Sequence, residues 1–224
     1  MALSGLFLIS FLLVHVGLNS CIFNDLPIFN PEDDGSMFNR AAAFMGDSYV
    51  IRIIEIGLFA FFILHIIQGY AVEISNRKRR KQGYQVALGN RGSTWMSRSM
   101  AILGTLIFLY LIIHIAQFWV PSRVTGGLEE REYLNNGKQY HDLFLKMYET
   151  FQAPWVVILY LVGVGALLFH LLHGFHAAFR SLGVHNKKYL SLLKGLGYGF
   201  SIIVCVLFAL MPISMYLQWV HPGI

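Results

Sequence analysis

The stretch "WVVILYLVGVGALLFHLLHGFH", residues 155–176, decides the fold. Its first fifteen residues are uncharged and almost entirely apolar, and a helix needs roughly 20 such residues to cross a bilayer. The histidines that follow, His170, His173 and His176, are costly inside a membrane, where ionisable side chains usually serve a function. Each of them needs a partner, and the rest of the chain must supply it.

The composition of the whole chain is that of an integral membrane protein. Of its 224 residues, 56% are hydrophobic and 13% are charged, and its mean hydropathy is +0.56. Soluble domains carry about 25% charged residues. The two cysteines, Cys21 and Cys205, form neither a CxxCH motif for covalent haem attachment nor a CxxC motif for zinc or an iron–sulfur cluster.

Hydropathy predicts an all-α integral membrane protein with five transmembrane helices, in which residues 1–224 form a single membrane domain. The predicted spans are residues 2–22, 49–75, 97–120, 153–180 and 189–220. The first apolar run lacks a basic region before it and an Ala-x-Ala cleavage site, which favours a retained span over a signal peptide. The connections after spans 1 and 3 are long for plain loops, so we expect short helices in them.

The charged residues between the spans predict the orientation of the chain. Basic residues follow spans 2 and 4, whereas the connection after span 1 is acidic. The basic residues are Arg77, Lys78, Arg79, Arg80, Lys81, Arg91, Arg98, Arg180, Lys187, Lys188 and Lys194. Because Lys and Arg mark the cytoplasmic side, we expect a cytoplasmic N-terminus and an external C-terminus. Membrane topology thus accounts for the net charge of +5 without a nucleic-acid partner.

Four histidines fall on four different spans, at two depths. His15 lies seven residues before Ile22, and His114 seven before Pro121, so both lie about 10 Å inside the outer edge at 1.5 Å per residue. His65 lies eleven residues before Asn76, and His170 ten before Arg180, so both lie about 15 Å from the inner edge. Two facing imidazoles at one depth can supply both axial ligands of a haem iron. The ligand count suits two haems b better than a zinc site, which favours a tight cluster that includes Cys or carboxylate.

Glycine spacing separates the three histidines of span 4. Gly69 follows His65 by four residues and Gly174 follows His170 by four, so each lies one turn on along the same helical face. A missing side chain there leaves room for a flat macrocycle, which favours His170 over His173 as the ligand. His173 stays open as a substitute, although a contact to a haem propionate or a quinone suits its position better. His176 lies nearer the cytoplasmic interface.

Four short motifs give the chain a family resemblance. They are "LVHVGLN" around His15, "ILHIIQGY" around His65, "IIHIAQ" around His114 and "FHLLHGFHAAFRSLG" around His170. In this order across five spans, the chain resembles the cytochrome b membrane anchor of succinate dehydrogenase and fumarate reductase, in its five-helix, single-subunit, dihaem form. The resemblance covers nearly the whole chain.

The resemblance implies a succinate:quinone oxidoreductase subunit of the bacterial cytoplasmic membrane. Its inner haem b would be held by His65 and His170, and its outer haem b by His15 and His114. The implied partners are a flavoprotein subunit and an iron–sulfur subunit on the cytoplasmic side, the lipid bilayer, and a quinone, most often menaquinone. A higher oligomer of the complex is left open. On this reading the chain transfers electrons and does not itself dehydrogenate succinate, although quinone chemistry can take place on it.

Polar residues near the two histidine levels are candidates for further contacts. The candidate quinone residues are Asn19, Gln117 and Trp119 near the outer haem, and Trp95 and Ser97 near the inner face. The candidate propionate partners are Arg98, Arg180 and His173. Some members of the family carry an acidic residue near the outer haem, and here Asp33, Asp34 and Glu55 are the candidates for that role.

Two alternative functions stay open from the sequence. One is the cytochrome b subunit of a hydrogenase or a formate dehydrogenase, which would use similar haems with another soluble partner. The other is a haem-free transporter or assembly anchor whose histidines relay protons. Broken helices and intramembrane carboxylates would favour that class, but Glu55 is the lone acid well inside a span.

Overall fold

The computed structural model describes residues 1–79, 95–133 and 137–223. Five of its helices are long and apolar enough to cross a membrane, which makes the chain an all-α, multi-pass membrane protein. These helices are α1 (Ala2–Asn19), α3 (Tyr49–Arg79), α5 (Met100–His114), α7 (Pro154–Ser181) and α8 (Lys187–Tyr216). The short helices between them are α2 (Ser36–Asp47), α4 (Trp95–Arg98) and α6 (Leu143–Phe151).

The long helices form one bundle. Helix α7 packs against α1, α5 and α8, and α1 and α5 each also contact α3. Two helices continue beyond their regular part: α1 passes into a 3₁₀ segment, Ser20–Asp25, and α5 into π-helical segments that end at Thr125. The apolar length of each span therefore exceeds its α-helical length, and the candidate spans become Ala2–Asp25 and Met100–Thr125.

The fifth span ends earlier than hydropathy predicts. Helix α8 stops at Tyr216, whereas the apolar pattern suggested residue 220. Gln218 adopts a positive φ of 60°, a left-handed conformation that does not continue a helix. The chain then turns, and its terminal residues reach the segment that follows α1, where the backbone N–H of Gly223 donates to Asp34.

Short elements cover one end of the bundle, which we term the capped end. Helices α2 and α6 lie there, as the long connections predicted. Two short antiparallel strands, Glu130–Glu132 and Gln139–His141, lie at the same end, and the sequence pattern did not indicate them. Gly35 shows how tightly this layer packs: its φ is +74°, and a Cβ there would lie 2.4 Å from the Phe144 ring. Phe144 is fully buried.

A buried network of hydrogen bonds connects the elements of the capped end. The Asn39 amide nitrogen donates to Asp142 over 2.8 Å and to the Tyr133 hydroxyl over 2.6 Å, and its carbonyl oxygen accepts from the Phe144 N–H at 3.0 Å. Asn39 is 1% exposed. Burial raises the pKa of Tyr133 to about 12, so its hydroxyl stays neutral beside the Asp142 carboxylate. Arg131 pairs with Asp34 at the same level.

The opposite end of the bundle, termed the basic end, carries the described basic residues of the two connections that follow spans 2 and 4. The described members are at the end of α3, on α4, and where α7 passes into α8: Arg77, Lys78, Arg98, Arg180, Lys187, Lys188 and Lys194. Arg80, Lys81 and Arg91 of the predicted basic connection lie outside the described residues. The two ends of the bundle thus differ in charge as the sequence indicated.

Candidate functional site

The four histidines meet in two pairs at two levels of the bundle. Toward the capped end, the ring centroids of His15 on α1 and His114 on α5 lie 5.9 Å apart, with ring planes at 82°. Toward the basic end, those of His65 on α3 and His170 on α7 lie 6.2 Å apart, at 68°. We term these the capped-end pair and the basic-end pair. The structure brings together the residues that the depth argument placed at one level.

The spacing within each pair is close to what one shared metal ion requires. A histidine nitrogen lies about 2.0–2.1 Å from the metal it binds, and an imidazole centroid about 1.1 Å behind that nitrogen. Two rings on opposite sides of one ion therefore have centroids about 6.2–6.4 Å apart. The measured distances of 5.9 and 6.2 Å fit such an arrangement. Ligation by these histidines stays a prediction, and the geometry is compatible with it.

Each pair contains one ring with a side-chain hydrogen bond and one without. His65 Nδ1 lies 3.2 Å from the Ser4 hydroxyl, and His15 Nδ1 lies 3.2 Å from the Asn19 amide nitrogen. Nδ1 of His114 and Nδ1 of His170 are buried and find no partner within the described part of the chain. A buried polar atom without a partner costs about 1–3 kcal/mol. A ligand bound at either of these Nδ1 atoms would relieve that cost.

Glycines surround the basic-end pair. A Cβ on Gly5 of α1 would lie 3.5 Å from His65 Cε1, and one on Gly104 of α5 would lie 3.8 Å from His170 Cε1. At the predicted cradle positions, a Cβ on Gly69 would meet only the tip of Met1, and one on Gly174 only the tip of Met100. Methionine side chains are flexible and adapt their shape to a neighbour. A flat group therefore has room beside both histidines once two methionine tips move.

Aromatic residues enclose the capped-end pair. Around His114 lie Tyr110 with a ring centroid at 5.7 Å, Phe118 at 5.6 Å and Tyr160 at 6.0 Å. Phe208 of α8 lies 5.5 Å from His15. Such apolar walls lower the local dielectric, and burial of this kind is one of the means by which a protein tunes a redox cofactor.

The remaining predicted contacts are distributed as follows. Gln117 accepts a hydrogen bond of 2.7 Å from the Tyr160 hydroxyl, and the Trp119 indole N–H donates to Glu55. Both lie on the capped-end side of His114. The ring of Trp95 meets Phe169 edge-on at 5.5 Å, next to His170 in sequence. Ser97 and Arg98 are exposed on α4, and Arg180 is exposed at the end of α7.

His173 makes its ring contact with His176 rather than with a member of either pair. Its ring lies 5.6 Å from that of His176, toward the basic end of α7. Basic side chains stand near this second ring, since Lys194 and Arg180 both act on His176 electrostatically. These basic side chains suit an anionic group near His173. They suit less well a metal ion held between His173 and a partner on α3. It therefore agrees with a propionate contact for His173, which stays a prediction.

Several residues of the site were not singled out by the sequence. Ser4, Gly5 and Gly104 touch the basic-end pair, and Tyr110 and Tyr160 enclose the capped-end pair. One signal was present: Gly5 precedes His15 by ten residues, and Gly104 precedes His114 by ten. The two helices that carry the capped-end pair thus each place a glycine at the level of the basic-end pair.

Comparisons with known proteins find no match: no family model, no curated protein and no solved structure is similar to this chain. Within residues 1–79, 95–133 and 137–223, no three side chains of His, Cys, Asp or Glu are grouped to hold one ion. Each level of the bundle holds one pair of histidine rings.

Replacing Gly163 tests how closely the capped-end pair is packed. A Cβ on Gly163 would lie 2.5 Å from Cδ2 of Tyr110, whose ring stands beside His114. We expect Gly163→Ala to lower the unfolding free energy by about 1–3 kcal/mol through overpacking, measured by thermal unfolding in detergent. Gly165→Ala is the matched control on the same helix, since its Cβ would meet nothing within 4 Å. Equal melting temperatures for the two variants would contradict this packing.

Proposed function

We propose that this chain is the membrane anchor and electron-transfer subunit of a succinate:quinone oxidoreductase, acting as succinate dehydrogenase or fumarate reductase. One observation carries the proposal. Two histidine pairs stand on four different helices at two levels, with ring centroids 5.9 and 6.2 Å apart. Two ligands per level are what a haem requires, because its porphyrin supplies the other four nitrogens.

The residues that would hold the cofactors follow from this geometry. His65 and His170 would ligate the inner haem b, and His15 and His114 the outer one. When bound, two haems b supply one-electron transfer between an iron–sulfur subunit and menaquinone. The chain itself orients one of the imidazoles: the Ser4 hydroxyl reaches Nδ1 of His65, and an outer partner of this kind fixes the tautomer and orientation of a ligating histidine.

Quinone chemistry at the capped end would draw on the polar groups found there. Reduction of a quinone takes up two protons, so its site needs groups that can exchange protons with water. Glu55 is held by the Trp119 indole, and Gln117 by Tyr160, both within the span regions next to the capped-end pair. These residues support a proton-exchanging site at that level. Asp33 and Asp34, the other two acidic candidates, belong to the capping layer, where Asp34 pairs with Arg131.

Haem content tests the proposal directly. We expect the purified chain to bind two haems b without covalent bonds, by pyridine haemochrome analysis. The expectation rests on two separate ligand pairs, neither of which contains a cysteine. Fewer than about one and a half haems per chain, or thioether-linked haem, would contradict it. Absence of any haem would instead favour the transporter or assembly-anchor alternative.

The partners and the orientation form the second part of the proposal. The flavoprotein and iron–sulfur subunits would dock at the basic end, on the cytoplasmic side of a bacterial inner membrane. Basic residues favour that side. The inner haem would then lie nearest the electron donor.

Cysteine labelling tests this topology. In a background with Cys21→Ser and Cys205→Ser, we expect Lys187→Cys to react with an impermeant maleimide only in inverted vesicles, because basic connections remain in the cytoplasm. Ile28→Cys, at the capped end and 78% exposed, should react only in right-side-out vesicles. The reverse pattern would overturn both the orientation and the docking side.

A further inference from the structure

A cavity of about 390 Å³ opens at the capped end, between α2, the start of α3 and the strand Gln139–His141. This volume lies within the roughly 300–1,000 Å³ that small-molecule sites occupy. None of its lining residues is among those predicted to contact a haem or a quinone. They are Arg40, Phe44, Asp47, Ser48, Lys138 and Tyr140.

Positive charge predominates in the wall of this cavity, which we term the corner cavity. Arg40 and Lys138 contribute two positive charges, against one negative charge from Asp47, so the wall carries a net charge of +1. Two neighbours hold the Lys138 ammonium: Oδ2 of Asp47 lies 3.7 Å from its Nζ, and the ring centroid of Tyr140 lies 5.1 Å from it. A singly charged anion would balance this wall.

A further cation stands next to the corner cavity, at the end of α2. A Cβ on Gly46 would lie 2.8 Å from Nη1 of Arg123, so the guanidinium lies against the backbone of Gly46. Asp47, which lines the cavity, is the next residue along the chain. The Arg123 guanidinium therefore adds to the positive charge around the cavity and strengthens its preference for an anion.

Tyr140 adds a neutral hydrogen-bond donor to the wall of the corner cavity. It is 7% exposed, and its ring centroid lies 6.1 Å from that of Tyr133. Within residues 1–79, 95–133 and 137–223, the Tyr140 hydroxyl has no hydrogen-bond partner. Buried polar side chains usually have such a partner. A ligand oxygen in the cavity would provide it.

The corner cavity adjoins the exposed apolar surface of α3. Ser48 of the cavity wall immediately precedes this helix, and Tyr49, Ile53 and Ile56 follow it, with exposed fractions of 88%, 72% and 72%. At 3.6 residues per turn these three side chains lie within about 60° of one another, so they form one stripe. Because α3 is long and apolar enough to span a bilayer, a lipid tail can lie along this stripe while its polar end enters the cavity.

We propose that the corner cavity binds the phosphodiester group of a phospholipid, with an acyl chain along the stripe on α3. Arg40 and Lys138 donate charge-assisted hydrogen bonds to the phosphate oxygens, and arginine is well suited to phosphate recognition. A free phosphate ion shares this chemistry, but only a phospholipid also covers the stripe. The bound lipid joins α2, α3 and the strand Gln139–His141. The site attaches the capped end to the bilayer and is independent of the proposed electron transfer.

Photolabelling of the full chain tests this site. The delipidated chain in dodecyl maltoside, a detergent without phosphate, is mixed with a phosphatidylglycerol whose acyl chain carries a diazirine, and labelled peptides are identified by mass spectrometry. The readout is the ratio of label on residues 49–56 to label on the exposed surface of α5 around Ile102 and Leu109, which reports unselective contact. We expect a higher ratio than with a diacylglycerol that carries the same diazirine chain. Equal ratios would overturn the proposal. A ratio abolished by inorganic phosphate at the concentration of the lipid would assign the cavity to the free ion and overturn it too.

Substitutions complete the test. Arg40→Gln with Lys138→Gln should reduce the label ratio to that of the diacylglycerol, because both charged donors are lost, and Tyr140→Phe should reduce it in part. Lys187→Gln with Lys188→Gln is the matched control: it removes two exposed charges at the basic end and should leave the ratio unchanged. Melting temperatures without lipid identify any folding defect, and if the double variant unfolds, Arg40→Gln alone decides, since Arg40 is exposed. An undiminished ratio in the folded variant would overturn the site.

Discussion

His65→Ala and His170→Ala should each abolish the same haem, and His15→Ala and His114→Ala should each abolish the other. The reason is the pairing of the rings, at 6.2 Å in the first case and 5.9 Å in the second. Each single variant removes one of the two axial ligands proposed for one haem, so the haem content should fall from two to one per chain. Low-temperature reduced-minus-oxidised spectra, in which two b-type components can be resolved, measure which one is lost.

Double variants make this test sharper. Residues that act on one site are not additive, so His65→Ala with His170→Ala should cost no more haem than either change alone. His65→Ala with His15→Ala should remove both haems. His185→Ala is a suitable control, because His185 is exposed in the connection between α7 and α8. If His15→Ala and His65→Ala erased the same spectral component, the pairing by level would be wrong.

Gly174→Leu should weaken binding of the inner haem, whereas His173→Gln should leave both haems six-coordinate and low-spin. In the structure, a Cβ at Gly174 meets only the tip of Met100, at 4.0 Å. A Cβ there therefore meets no close contact in the ligand-free chain, whereas the rest of a leucine side chain would occupy the space proposed for the porphyrin. Overpacking of that kind costs about 1–3 kcal/mol, equivalent to roughly fivefold to 150-fold weaker binding.

The measurement for this pair is haem retention during purification together with thermal unfolding of the haem-depleted chain. Gly174→Leu should lower haem retention and leave the melting temperature of the haem-depleted chain unchanged. This result would separate an effect on cofactor binding from a folding defect. Gly199→Leu on α8 is the control, since a Cβ there meets nothing within 4 Å. Loss of the inner haem in His173→Gln, with its retention in Gly174→Leu, would make His173 the ligand.

The spans could be predicted from sequence because the bilayer sets a length that hydropathy reads directly. Five spans were expected, and five helices of sufficient length and apolarity are found. Their ends were less predictable. The π-helical continuation of α5 and the early end of α8 depend on backbone conformations, such as the positive φ of Gln218, that hydropathy does not encode.

The histidine levels could also be inferred, because the depth of a residue follows from the number of residues between it and the end of its span. The neighbours of the histidines could not. Ser4 reaches His65 across 61 residues of sequence, and Tyr110 fits against Gly163 across the bundle. Such contacts depend on how helices rotate about their axes, and a nearly uniform apolar surface gives little indication of that rotation. The strand pair of the capped end was missed for another reason: its two strands have three residues each, too few for an alternating pattern.

The two histidine pairs also impose an order on biosynthesis. One pair joins α1 with α5, and the other joins α3 with α7. Once residue 125 has entered the membrane, both histidines of the capped-end pair are present, while the basic-end pair still lacks His170. Cofactor insertion during translation would therefore proceed from one level to the other. The first insertion would link α1 and α5, which both contact α3, before α7 is inserted and completes the bundle.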